Sequence, residues 1–314
     1  MNPVRRVVLF GECMLELQGE AYGTLRQTFG GDTLNTAVYL ARLVGGGGVE
    51  VAYATGVGVD TLSEGLLTRW REENVGTGLV RRIEGRLPGM YMIDVDARGE
   101  RHFSYWRDTS AAKAYFDGDD PAPLEAAAGA IDLLYLSGIS LAILPPAGRE
   151  RLFVLMAALR ARGAAVAFDN NYRPRLWPDA AEARDCFARA FGLASITFVT
   201  ADDHQALLGL TTLDDGIAAA RALPTPELVI KRGAAATLVR SDGRWAEAAT
   251  EPVARVVDTT AAGDSFAAGY LSRRLLGASA VDAARFGNRI AARVIQHPGA
   301  LIDREAMRDL VPGG

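Results

Sequence analysis

The sequence predicts an α/β protein in which helices flank a mostly parallel, doubly wound sheet, with a small β-sheet set outside it as a lid. Three observations carry this. From residue 131 onward, short apolar runs at 131–136, 165–168, 196–199 and 228–231 alternate with helical patterns such as 146–162. Runs of that kind mark strands buried on both faces, as in a parallel sheet. Between residues 89 and 107 the pattern changes to strict alternation around a turn at 96–99, which reads as a hairpin. The chain has 314 residues and is 49% hydrophobic, enough to bury a full core.

In chain order, residues 4–10 form an apolar run that ends in Gly11 and reads as a buried strand. Residues 14–17 and 24–29 alternate as half-exposed strands do. With the hairpin they place the lid within about 12–30 and 89–107 of a single domain spanning residues 1–314. Gly30, Gly31 and Asp32 lead into a helical pattern that runs through Asn35 to Leu43. Two glycines before a helix fit close approach of a ligand, and fit equally a plain turn capped by Asp32 or Thr33. Residues 45–48 are all glycine and read as a flexible connector. A strand at 50–55 and a helix at 62–73 follow. Gly56 and Gly58 could open a dinucleotide fingerprint, but position 61, where the third glycine belongs, is Thr. In the second hairpin strand, alternation puts Tyr105 and Arg107 on one face and Trp106 on the other. Tyr91, Tyr105 and Arg107 are therefore candidates to reach a ligand from above, although a solvated strand with an aromatic stripe has the same pattern.

Ligands bind a doubly wound sheet at the carboxyl ends of its strands. Residues 169–177 lie at such an end, where Pro174 fixes the loop and Arg173 and Arg175 bring positive charge. Residues 241–244 read as a structural hairpin turn. The final helix, 280–295, carries Asn288, which as a lone Asn reads as a solvated or capping residue. His297 has no evident partner.

Composition excludes other classes. A net charge of −4 argues against a nucleic-acid binder. There is no basic-then-apolar leader and no apolar run near the roughly 18 residues of a membrane span, so the expected location is the cytoplasm, away from any membrane. Cys13 and Cys186 lack metal or redox spacing and read as buried thiols. The uncovered edges of a lid sheet invite pairing between copies and predict a homo-oligomer.

The stretch Val257-Asp-Thr-Thr-Ala-Ala-Gly-Asp264 precedes a run of helix formers and puts a helix N-terminus at Asp264. Free N–H groups and the helix dipole at such a terminus bind phosphate. An aspartate there is either an N-cap or a general base that takes a proton while the amides hold a transferring phosphoryl group.

This stretch resembles the D-T-x-G-A-G-D signature of the ribokinase-like (PfkB) sugar kinases, with Ala261 in place of a glycine. An alanine still offers its amide provided φ stays negative. The resemblance extends from Gly11 to Ala300. It implies a ribokinase-like fold, ATP and Mg²⁺ as cofactors, and Asp264 as the catalytic base beside an anion hole of Ala261, Ala262 and Gly263. Gly56-Val-Gly58-Val-Asp60 is similar to a turn that shapes the sugar end of the cleft. Lys231-Arg-Gly233-Ala-Ala-Ala236 resembles the family's nucleotide turn with Ala236 for its second glycine. Asp203 falls where a magnesium-linked motif belongs, Asn288 where a residue faces the adenine, and Asp258 and Thr260 where some members hold a monovalent cation such as K⁺.

Three segments, Phe29-Gly-Gly-Asp-Thr-Leu-Asn35, Phe103-Ser-Tyr-Trp-Arg107 and Asn171-Tyr-Arg-Pro-Arg-Leu-Trp177, look like the bacterial 2-keto-3-deoxygluconate kinases. That implies a sugar acid held by Gly31, Asn35, Tyr91, Tyr105, Arg107 and Arg173, with phosphorylation of its 6-hydroxyl. ATP would lie along Asn171, Arg173, Lys231, Gly233, Ala236, Ala262, Gly263 and Asn288. A charged hydrogen bond from Arg107 to a substrate carboxylate, worth roughly 1.5–3 kcal/mol, would favour an acid over a neutral sugar. A fructokinase would share Asp264 without needing Arg107, and a non-catalytic sugar-acid sensor would tolerate the alanines at 236 and 261. Consumption of ATP separates these readings.

Overall fold

The computed structural model describes residues 5–20, 22–45, 48–95 and 101–311. Strand β1 (Arg5–Phe10) sits in the middle of a nine-stranded sheet because its side chains alternate between two cores: Val7 and Leu9 pack into one, Val8 and Phe10 into the other, all fully buried. The chain then leaves this sheet for β2 (Met14–Gly19) and β3 (Leu25–Gly30), and returns through α1 (Asp32–Leu43) to β4 (Val49–Val57), which pairs parallel with β1. Helix α2 (Thr61–Glu72) is capped by Asp60, whose carboxylate accepts from the amides of Leu62 and Ser63. It leads to β5 (Gly76–Arg82), the outermost parallel strand, which the sequence pattern did not reveal.

Strands β6 (Gly89–Val95) and β7 (Arg101–Trp106) pair antiparallel, and β6 joins β2 to give a separate four-stranded sheet in the order β3-β2-β6-β7. The hairpin turn expected at 96–99 lies outside the described residues, as do positions 46 and 47 of the glycine run. After the one-turn helix α3 (Pro123–Ala126), the expected alternation runs through β8 (Leu133–Ser137), α4 (Gly138–Ala142), α5 (Pro146–Ala161), β9 (Ala165–Asp169), α6 (Ala180–Leu193) and β10 (Ile196–Thr200). It continues with α7 (Ala201–Leu208), α8 (Leu213–Arg221) and β11 (Glu227–Arg232). An antiparallel hairpin, β12 (Ala235–Ser241) and β13 (Arg244–Ala248), closes that edge of the large sheet. Helices α9 (Ala262–Leu275) and α10 (Ala280–Val294) end the α/β layer.

The strand order is β13-β12-β11-β10-β9-β8-β1-β4-β5, so the chain reverses its direction of travel between β1 and β8. A crevice opens at the carboxyl ends of strands at such a switch point. Helices α1, α2, α9 and α10 cover one face with Leu34, Tyr39, Trp70 and Tyr270, and α5 and α6 cover the other with Met156 and Phe187. Glycines let the crossings come close. A Cβ on Gly56 would sit 2.3 Å from the Ala111 carbonyl oxygen, and one on Gly58 2.2 Å from that of Arg86.

Asn288, in α10, is buried and fully engaged: its Nδ2 donates to the carbonyls of Ala248 (3.1 Å) and Ala249 (3.0 Å), and its Oδ1 accepts from Thr237 Oγ1 at 3.0 Å. It fastens the last helix to the edge hairpin. Replacing Asn288 with alanine leaves those groups unpaired and should lower the free energy of unfolding by about 1–3 kcal/mol. A thermal melt of Asn288→Ala checks this.

Candidate active site

A cavity of about 420 Å³ opens beside the switch point. Its floor is the N-terminus of α9, one wall is α1 and the end of β9, and Met14, Tyr91, Phe103 and Tyr105 of the small sheet border it. Helix α9 starts at Ala262, two residues before the expected position, so Asp264 is an acidic residue of the first turn and not the cap. The cap is Ala261, with φ 59° and ψ 15°. This corrects the expectation of negative φ. A left-handed alanine costs about 1–2 kcal/mol, which is why glycine suits this place. The Ala262 amide donates to the Thr259 carbonyl at 3.2 Å, and among the described residues the amides of Ala261, Gly263 and Asp264 have no backbone acceptor. The anion hole thus has three free donors, and Ala262 contributes its turn.

Asp264 faces this cavity from its floor. Burial above all, with the nearby charges of Asp32 and Asp169, raises its carboxyl from the usual carboxylate range to about 8, against the opposing hydrogen bond from Asn35 and charge of Lys231. Asn35 Nδ2 donates to Asp264 Oδ2 at 2.8 Å, and Asn35 Oδ1, buried and without a protein partner, is left for a ligand hydroxyl. Asp32 is itself raised by burial, held by Asn171 Nδ2 at 2.6 Å. Lys231 Nζ bonds Asp169 Oδ2 at 2.9 Å and lies so near Gly263 that a Cβ there would sit 3.2 Å away. Its charge therefore stands at the anion hole.

Of the residues singled out in the sequence, Gly31, Asn35, Tyr91, Tyr105, Asn171, Arg173, Asp203, Lys231, Thr260, Ala261, Ala262, Gly263 and Asp264 line the cavity together. Gly31 also clears the chain itself, since a Cβ would stand 2.2 Å from the Glu12 carbonyl oxygen. Arg107 does not line it. It follows β7 and pairs through Nη2 with the buried Glu12 carboxylate, its side chain 10% exposed. Gly233 and Ala236 stand outside the lining, Gly233 in the left-handed region at φ 60°, where a Cβ would meet open space. Asn288 is turned into the fold as described, a correction to its expected place beside the adenine. Gly56 and Gly58 serve chain crossings and are not in the lining either. Cys13 is buried, but Cys186 is half-buried against Arg149 Nη1 at 3.5 Å, which corrects its reading as a core thiol. Asp32, Asp169 and Phe103 are lining residues that sequence reasoning did not assign. The signal for Asp32 was its place directly after Gly30 and Gly31, and for Asp169 the end of a buried strand.

Among the described residues no three His, Cys, Asp or Glu are grouped to hold a metal by themselves. Asp203 sits 3.2 Å from Arg173, and burial raises its carboxyl against the pull of Arg173 and Lys231. Such a donor set fits Mg²⁺ that arrives with phosphate oxygens and waters and takes one carboxylate from the protein. Asp258 and Thr260, where a monovalent cation was expected, are bonded to each other. Asp258 accepts from Thr260 N (3.0 Å) and Thr260 Oγ1 (2.6 Å) through one oxygen and from Gly299 N (3.0 Å) through the other, so the pair staples the loop before α9.

A carboxylate of raised basicity beside three free amides and a lysine can take a proton from a hydroxyl while an anionic group is transferred to it. The model of the pfkB family carbohydrate kinases matches residues 4–307. The chain is 46% identical over 306 residues to a 2-dehydro-3-deoxygluconokinase of Escherichia coli K12, covering 96% of this chain and 99% of that one. It is 31% identical to a fructokinase of Salmonella typhimurium over 268 residues, 85% of this chain and 83% of that one. The crystal structure of a 2-dehydro-3-deoxygluconokinase from Thermotoga maritima superimposes with a TM-score of 0.80 at 21% identity over 98% of both chains, a likeness of fold.

The raised carboxyl of Asp264 also predicts a pH dependence of stability. Its proton favours the folded state; that contribution is complete below the unfolded carboxyl's range near 4 and is lost as pH rises through about 8. Asparagine mimics the protonated form, so Asp264→Asn should melt above the parent at pH 9 and level with it near pH 4, while turnover falls by about 10²–10⁴-fold. Melts across that range together with an activity assay read both effects.

Proposed function

The chain belongs to the pfkB family of carbohydrate kinases, and we propose that it transfers the γ-phosphoryl group of ATP to the 6-hydroxyl of 2-dehydro-3-deoxygluconate. The observation that carries this is the Asp264 carboxylate placed among the free amides at the head of α9; the substrate follows from the 46% identical relative. Asp264 takes the proton of the attacking hydroxyl, Asn35 orients the sugar and steadies the base, and the amides of Ala261, Gly263 and Asp264 with Lys231 receive the transferring charge. Arg173 and Asn171 flank the nucleotide. Mg²⁺ held by the nucleotide phosphates and Asp203 would neutralise phosphate charge. The small sheet acts as a lid whose Tyr91 and Tyr105 exclude water, and Arg107 would reach the substrate carboxylate from its pair with Glu12. Its edge strands β3 and β7 offer pairing between copies, and a cytoplasmic location accords with the use of ATP.

ADP release with Mg-ATP and 2-dehydro-3-deoxygluconate, gluconate, fructose or ribose should show turnover mainly with the keto-deoxy acid; preference for a neutral sugar points to a fructokinase-like activity, and silence with all four to a sensor. Arg107→Ala should raise KM for the acid far more than KM for ATP. Because Asp264 must be ionised to act, kcat/KM should rise with pH through about 8, and Asp32→Asn, which removes a neighbouring charge, should move that limb to lower pH.

A further inference from the structure

We infer that Glu12 is the positioning residue of the sugar-acid subsite: its carboxylate anchors the Arg107 guanidinium and offsets its charge, and so sets how strongly the site prefers an acid to a neutral sugar. The inference rests on the reading of Arg107 given above.

Glu12 follows β1 and Gly11, where the chain passes from the large sheet to the small one, and Arg107 follows β7, where it returns. Their ion pair joins the two crossings, with side chains 1% and 10% exposed. Two glycines make room for it. A Cβ on Gly89 would lie 2.8 Å from Glu12 Oε1 and 3.2 Å from Arg107 Cβ, and a Cβ on Gly31 would meet the Glu12 carbonyl oxygen. Gly31 is itself cavity wall, so a displacement of Glu12 reaches the site through one residue.

The pair is also left incomplete. Glu12 Oε1 and Arg107 Nε are both buried, and among the described residues neither has a partner. Unpaired buried groups are costly, so both atoms have a use for a further partner. An unused guanidinium N–H beside a neutralising carboxylate is the arrangement expected of a cation that must receive a second anion without standing uncompensated when that anion is absent. The cations that do line the cavity, Lys231 and Arg173, are also paired, with Asp169 and Asp203.

The test separates the anchor from the charge. Glu12→Gln keeps the shape and an acceptor oxygen but removes the negative charge, so KM for 2-dehydro-3-deoxygluconate should fall about threefold or more while KM for ATP stays within about twofold. Glu12→Ala removes the anchor as well and should raise KM for the acid about tenfold, with Glu12→Asp between it and the parent. Should the glutamine variant be too unstable for kinetics, the thermal shift on adding the acid is read instead; it should exceed that of the parent, because the ligand then supplies the missing counter-charge. Shifts in KM of the same sign for Gln and Ala, or an unaltered acid response in Gln, overturn the inference. Arg107→Ala is run alongside: if it weakens acid and ATP equally, the reading of Arg107 falls and this inference with it, whereas an acid-selective loss with an indifferent Glu12 removes this inference alone.

Discussion

A carboxylate that must stay basic has to be kept from water and yet tolerated, and the surroundings of Asp264 are arranged around that conflict. Desolvation and the nearby Asp32 and Asp169 disfavour its charge, while Asn35 and Lys231 favour it. These residues come from α1, β9, β11 and α9, elements that meet only because the parallel strands all end at one crevice. Remove the switch point between β1 and β8, and α1 no longer faces α9. The position of the base is thus a property of the sheet's topology more than of any local motif.

The loop before α9 bears the strain that this arrangement requires. Asp258 staples residues 258–260 and, through Gly299, ties them to the segment after α10. The Ala262 amide then closes a turn onto Thr259, which throws Ala261 into the left-handed region. Alanine pays a steric penalty there that glycine avoids, but it has the smallest side chain that does so, and it loses less freedom on folding than glycine. The two effects partly offset. That balance explains how alanine can stand in the signature without loss of the three free amides.

The large sheet was legible because strands buried on both faces read as apolar runs between helical patterns, and the hairpin because one of its faces is not buried. Strand β5 was not: Gly76-Thr-Gly-Leu-Val-Arg-Arg82 lies at an edge, only its Leu79 is buried, and no period marks it. Asp264 could be found from its motif, but its place in the helix was read two residues too early because an acidic first-turn residue and an acidic cap look alike in sequence. Glu12 has no local signature, and those of Asp32, after two glycines, and Asp169, at a strand end, mark a position without its role. Each matters through a partner far away in the chain, Asn171, Lys231 and Arg107 respectively, and such convergence is fixed only by the fold. Asn288 shows the converse, a polar residue in a function-like position whose side chain is taken up by two backbone carbonyls and the Thr237 hydroxyl.

A site rich in Asp32, Asp169, Asp203 and Asp264 is an unexpected host for two anions. The pairing of its cations resolves this. Lys231 and Arg173 are each held by a carboxylate, and Arg107 by Glu12 behind the cavity. An incoming anion therefore shares or exchanges a partner and does not meet a bare charge. Sharing lowers the gross attraction, yet it spares the empty protein an uncompensated cation where the side chain is buried, as at Lys231 and Arg107. A neutral sugar gains nothing from such an exchange, because it offers no charge to replace the carboxylate. On the proposed role of Arg107, discrimination between acid and neutral substrates would depend on the difference between two counter-ions for one guanidinium, and a residue that never touches the substrate could set it.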